Sequence, residues 1–173
     1  MTDTILIVDD DEDFCQLLSK SLAHDGYHAS WTTKSSVVPE LLEKVSPFCV
    51  LLDLKLSDAD GLEVLHRIQK LDRTLPVIIL TGFESIRTAV QAIQEGAFHY
   101  LPKPPDEKEL GRTLKKALKQ RRLHQKIPEL KKNLDQISLV FGRAFLVVHE
   151  VGRVRERIGR AEQISLDSGT RTR

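Results

Sequence analysis

This 173-residue chain has little cysteine, no long apolar run and no metal-binding histidine spacing. Its two cysteines, Cys15 and Cys49, lie far apart in apolar surroundings and form no C-x-x-C pair. That argues against a disulfide framework or a redox motif and leaves two buried, reduced thiols as the expectation. The six histidines are scattered. No apolar stretch approaches the roughly 20 residues needed to cross a bilayer, and the N-terminus does not read as a signal peptide. A soluble, cytoplasmic protein with no membrane partner is expected. The hydrophobic content of 40% suffices for one sizeable core and a small additional element.

Total charge is nearly balanced, with 26 Lys and Arg against 25 Asp and Glu, but the balance is not local. Residues 1–110 hold 10 basic and 19 acidic side chains, a net −9; residues 111–173 hold 16 and 6, a net +10. An acidic globular part followed by a basic tail marks two functional zones. The folded domain is expected over residues 1–120, and a basic helical linker or tail over 121–173.

Residues 4–105 alternate between short apolar runs and amphipathic stretches. The runs are Ile5–Val8, Tyr27–Trp31, Cys49–Leu52, Val77–Leu80 and Phe98–Leu101. Three of them are nearly continuous, as strands covered on both faces require. Helical spacing lies between them, in Phe14/Leu17/Leu18/Leu22, Leu41/Leu42/Val45, Leu62/Leu65/Ile68 and Ile86/Val90/Ile93. Five strands alternating with helices predict an α/β fold with a doubly wound, five-stranded parallel sheet. Gly26 and Gly96 are placed to stop the first and fourth helices. A fifth helix is expected after Pro104–Pro105, with Asp106, Glu107 and Glu109 favourable in its first turn, running to about Gln125. Pro128 then interrupts the pattern.

Ligands of an open α/β sheet sit beyond the carboxyl ends of the strands. Here Asp9 and Asp10 follow the first strand, Asp53 the third, Thr81 the fourth and Lys103 the fifth. Three acids, a hydroxyl and an ammonium form the set that Mg²⁺-dependent phosphoryl transfer uses. Hard oxygen ligands hold the ion, a carboxylate attacks phosphorus, and the hydroxyl and ammonium offset charge on the transferred oxygens. Asp11 and Asp13 read more simply as helix-capping or dipole partners. An aspartyl-phosphate phosphatase would want a second acid two residues beyond the nucleophile, and position 55 is lysine.

These pieces resemble the receiver domains of two-component response regulators. The matching segments are Ile5–Asp10, Leu51–Leu54 with Gly61 following, Leu80-Thr81-Gly82 and Lys103-Pro104, in order over residues 4 to about 118. The resemblance implies a flavodoxin-like receiver fold and a signalling protein, not an enzyme, phosphorylated on Asp53 by a sensor histidine kinase. It implies Mg²⁺ (or Mn²⁺) bound by Asp10 and Asp53, by Asp9 mainly through water, and by the Lys55 backbone carbonyl. Thr81 and Lys103 would grip the phosphoryl group, the Lys103–Pro104 peptide would be cis, and Thr81 with Tyr100 would form the switch. Ser57 stands where many receivers have proline, so a looser loop is expected there. Lys55 and Phe83 flank the site without a group that orients water, so slow self-dephosphorylation is expected.

Residues 119–173 carry no clear helix-turn-helix pattern. Ile127, Leu130, Leu134, Ile137 and Phe141 make a short two-heptad seam, read either as helix pairing or as packing onto the same domain. Val147, Val151, Val154 and Ile158 form a second stripe opposite Arg153, Arg155, Arg157 and Arg160. Phe141-Gly142-Arg143 and Asp167–Thr170 resemble the opening of the AAA+ domain in nitrogen-regulatory (NtrC-like) activators. Arg171 and Thr172 replace the glycine and lysine that a phosphate loop needs, so no ATPase is expected. A truncated or degenerate activator, or a receiver with its linker, accounts for this. The expected output is a homodimer formed through the linker helices, in transcription regulation, with DNA contacted indirectly or not at all. The alternative is a stand-alone receiver in a phosphorelay or as a protein-interaction adaptor.

Overall fold

Strands form where the apolar runs leave no face for water. In β1 (Thr4–Val8), β3 (Cys49–Leu52) and β4 (Val77–Thr81) nearly every residue is buried. Because strand side chains alternate between faces, one run feeds two cores. Ile5, Ile7, Cys49, Leu51, Ile78 and Leu80 enter one core, while Leu6, Val8, Val50, Leu52, Val77 and Ile79 enter the other. The computed structural model describes residues 3–82 and 86–126. The chain divides into two units, Met1–Gln125 and Lys126–Arg173. Phe83, the seam from Ile127 to Phe141, the arginine-bearing stripe and Asp167–Thr170 lie outside the described residues.

The remaining elements are α1 (Glu12–His24), β2 (His28–Thr32), a 3₁₀ turn (Ser35–Val37), α2 (Val38–Val45), α3 (Gly61–Leu71), α4 (Ile86–Gln94), β5 (His99–Pro102) and α5 (107–126). The strand order is β2-β1-β3-β4-β5, all parallel. Cys15, Leu18 and Leu22 of α1 and Leu110, Leu114 and Ala117 of α5 close the first core. Val38, Val64, Leu65, Ile68 and Ala92 of α2, α3 and α4 close the second. This is the expected doubly wound fold. Neighbouring β1 and β3 leave the sheet in opposite directions, which opens a crevice at their carboxyl ends.

Helix limits follow local chemistry. Asp11, Asp60 and Asp106 cap α1, α3 and α5 by accepting hydrogen bonds from Phe14 N, Leu62 N and Glu109 N at 2.8–2.9 Å. Gly26 and Gly96 follow α1 and α4 at φ of +86° and +101°, a backbone conformation that costs a residue with a Cβ. β2 and β5 begin one residue later than the apolar runs. Tyr27 stands outside the ladder and packs on Phe48, with ring centroids 5.8 Å apart. At the amino ends of the strands, Arg121 of α5 pairs with Asp72 at 2.6 Å and Arg122 with Asp3 at 3.0 Å. No described helix is long and apolar enough to cross a membrane.

Candidate functional site

β1 stops at Val8, and Asp9 and Asp10 carry the chain over the rim of the sheet. Asp9 is 1% exposed and Asp10 is exposed. Asp9 Oδ1 accepts the Asp11 N–H at 3.1 Å, and its Oδ2 pairs with the Lys103 ammonium. Asp53 follows β3 in the same way. Its Oδ1 accepts the Lys55 N–H at 3.0 Å and its Oδ2 takes Lys103 Nζ at 2.6 Å. Thr81 ends β4, buried, and its carbonyl accepts the Lys103 N–H at 3.1 Å. The Lys103–Pro104 peptide is cis.

Asp10, Asp53, Lys55, Thr81 and Lys103 line one cleft of about 530 Å³ together with Asp11, Leu56 and Gly82. Oxygens of Asp9, Asp10 and Asp53 lie within 4.8 Å of one another. Lys103 pairs with two of these three carboxylates, Asp9 and Asp53, and Lys55 lines the same cleft. Burial is the largest influence on Asp9 and pushes its carboxyl above the usual range, against the hydrogen bonds from Lys103 and Asp11. Burial alone would lower the Lys103 ammonium, but its hydrogen bonds to Asp53 and Asp9 outweigh that and raise it. Burial thus sets the direction for Asp9, and the paired carboxylates set it for Lys103. Lys103 keeps its proton, and Asp9 remains incompletely compensated. An all-oxygen set with excess negative charge suits a hard divalent cation.

The loop after β3 is braced rather than loose. Asp58 Oδ2 accepts both the backbone N–H and the hydroxyl of Ser35, at 2.8 and 3.1 Å. Lys55 and Asp60 pair across the loop, and Gly61 N donates to Leu54 O. A Cβ on Gly61 would stand 2.4 Å from Leu54 Cα and 2.6 Å from the Asp53 carbonyl oxygen. The expectation of a looser loop at Ser57 took no account of these ties, of which Ser35–Asp58 links residues 23 apart in sequence and the others close the loop locally. Tyr100 lies half-buried on β5, opposite Ile79, and packs with the second core. It is not among the described residues that line the cleft.

One neighbour of the site carries no chemical motif. The ring of Phe14, in the first turn of α1, lies 4.5 Å from Lys103 Nζ. Its place in a helical apolar stripe marked it only as core. The Asp9–Lys103 contact likewise has no local signal, since Asp9 reads equally well as a metal ligand alone.

The model of the response regulator receiver domain matches residues 5–115. The chain belongs to that family. This receiver is 38% identical over 115 residues to the transcriptional regulatory protein ZraR of Salmonella typhimurium, covering 66% of this chain and 26% of that protein. It is 34% identical over 170 residues to the DNA-binding transcriptional regulator NtrC of Proteus hauseri, covering 96% of this chain and 36% of that protein. A CheY-like receiver domain protein from Methanospirillum hungatei matches with a TM-score of 0.67 at 27% identity, over 72% of this chain and 99% of the other. NtrX from Brucella abortus, solved with ADP, matches with a TM-score of 0.68 at 30% identity, over 76% of this chain and 30% of the other. The receiver chain thus spans about a quarter to two fifths of the length of the curated relatives it matches.

Proposed function

We propose that this receiver accepts a phosphoryl group on Asp53 from the phosphohistidine of a sensor kinase. The observation that carries the reading is the convergence of Asp53 with Asp9, Asp10, Thr81 and Lys103 at adjacent strand ends. A carboxylate oxygen of Asp53 attacks phosphorus, and the P–N bond to the kinase imidazole breaks. The bond's electron pair leaves with the nitrogen, giving an acyl phosphate on Asp53. Lys103, already 2.6 Å from Asp53, is placed to offset charge on the transferred oxygens, and the Thr81 hydroxyl to receive one of them. Asp9, Asp10, Asp53 and the Lys55 carbonyl would hold Mg²⁺ or Mn²⁺, which supplies charge neutralisation of the phosphoryl oxygens when bound.

Phosphorylation then favours one of two arrangements of Thr81 and Tyr100, and the altered surface is read by a homodimer partner through the linker. Similarity to NtrC over 96% of the chain supports an output in transcription regulation. Residues 1–120 act as the receiver and 121–173 as the linker, without ATPase activity of their own. Lys55 and Phe83 offer no group to orient water, so the acyl phosphate is lost slowly. Incubation with acetyl phosphate and Mg²⁺, followed by intact mass and peptide mapping, tests the assignment. Wild type gains one phosphoryl group on Asp53, and Asp53→Asn gains none. Equal incorporation by the variant sinks it.

A further inference from the structure

Lys103 has three N–H donors and its side chain is 16% exposed, so little water is left to serve them. Asp9 and Asp53 both pair with the ammonium. The Phe14 ring lies 4.5 Å away. A cation this close to an aromatic face is attracted by the ring quadrupole, most strongly where water is excluded. Phe14 is itself fixed. Its backbone N–H donates to the Asp11 cap at 2.9 Å, and its side chain packs against the first core. The ring is thus held by the same turn of α1 that follows Asp9 and Asp10.

We propose that Phe14 is a positioning residue for phosphoryl transfer, holding the Lys103 ammonium over the site through its ring face. This rests on the reading of Asp53 as the phosphoacceptor. The reason for an aromatic rather than a third carboxylate lies in what changes during the reaction. Asp53 spends one carboxylate oxygen on the new bond to phosphorus, which weakens its hold on the lysine. The Phe14 ring neither ionises nor binds a hard cation, and phosphorylation does not alter it. It is a contact of the ammonium that stays constant while the one with Asp53 is rearranged. A fourth anion there would also deepen the charge excess of the carboxylate cluster.

The test replaces Phe14 in the full chain by mono-, di- and trifluorophenylalanine, which drains the ring face of negative charge at nearly constant shape. Rates of phosphorylation by acetyl phosphate are measured at fixed Mg²⁺ over a range of donor concentrations. The logarithm of the maximal rate should fall stepwise with fluorine number, to about tenfold for the trifluoro ring. Phe14→Leu should lose a similar amount, and Phe14→Tyr should stay within about twofold of wild type. An independent measurement is the Lys103 ε-methylene resonance, which should carry a ring-current shift that Phe14→Leu abolishes. A flat fluorination series, or a loss confined to Phe14→Leu, overturns the proposal and reduces Phe14 to packing. Absence of the ring-current shift overturns it as well. Failure of wild type to take phosphate on Asp53 is a different result, and removes the reading beneath it.

Discussion

Both ends of the central sheet carry charged residues, but their accounts differ. At the amino ends, Arg121 meets Asp72 and Arg122 meets Asp3, one cation to each anion, in partly exposed settings. At the carboxyl ends, Asp9, Asp10 and Asp53 crowd together, and Lys103 pairs with the two buried ones, Asp9 and Asp53. Matched pairs at a surface fasten α5 and add little energy. An unmatched cluster costs stability and creates an affinity for something that supplies positive charge. The contrast separates the part of the molecule fastened by matched charges from the part proposed to react.

The largest effect should come from the loop that shapes the reactive end. Gly61→Ala places a Cβ against the backbone of Asp53 and Leu54, where no side chain can yield. A loss on the order of 3 kcal/mol or more in urea unfolding is expected. Next, Lys103→Met removes the shared cation from buried Asp9 and Asp53 and should cost about 3 kcal/mol without divalent metal. Added Mg²⁺ should recover more stability in this variant than in wild type, because the ammonium no longer competes for the carboxylates. Equal recovery in both proteins would break the comparison.

Asp9→Asn works in the opposite direction. It relieves a buried anion that is incompletely compensated, so the melting temperature without metal should rise, by the equivalent of about 1 kcal/mol. The smallest effect belongs to the matched end. Burial would raise the Asp72 carboxyl, but hydrogen bonds from Arg121 and Thr74 outweigh that and lower it. A depressed folded-state value means stability present above the ordinary aspartate range and lost as pH falls through the depressed value. Arg121→Gln should therefore cost less than about 1 kcal/mol near neutrality, with the difference from wild type vanishing in acid. A pH-independent difference would mean that the arginine acts by packing alone.

Much of this was legible in the sequence because the signals are local. Continuous apolar runs announced β1, β3 and β4, and Gly26 and Gly96 marked the helix ends at which positive φ is found. Asp9, Asp10, Asp53, Thr81 and Lys103 could be grouped because a parallel sheet sends every strand's carboxyl end to the same side. The burial of Cys15 and Cys49 also followed from their surroundings, and it pushes the Cys15 thiol up to about 12. What could not be read were contacts between residues far apart in the chain. The Ser35–Asp58 tie, the Phe14–Lys103 contact and the Arg121–Asp72 pair are each set by how the helices lie on the sheet. The edge strand β2 was misplaced by one residue because Tyr27 packs like a core residue without joining the ladder.

The reach of Lys103 back to Asp9 has a consequence for how the protein is made. Translation delivers the carboxylates first and the ammonium last, after most of the domain has left the ribosome. Until β5 is in place, the growing chain carries the acidic cluster without Lys103, the ammonium that pairs with buried Asp9 and Asp53. A receiver interrupted before that point lacks the ammonium that meets both buried carboxylates. With Asp53 as the proposed phosphoacceptor, the complete site exists only once β5 has joined the sheet.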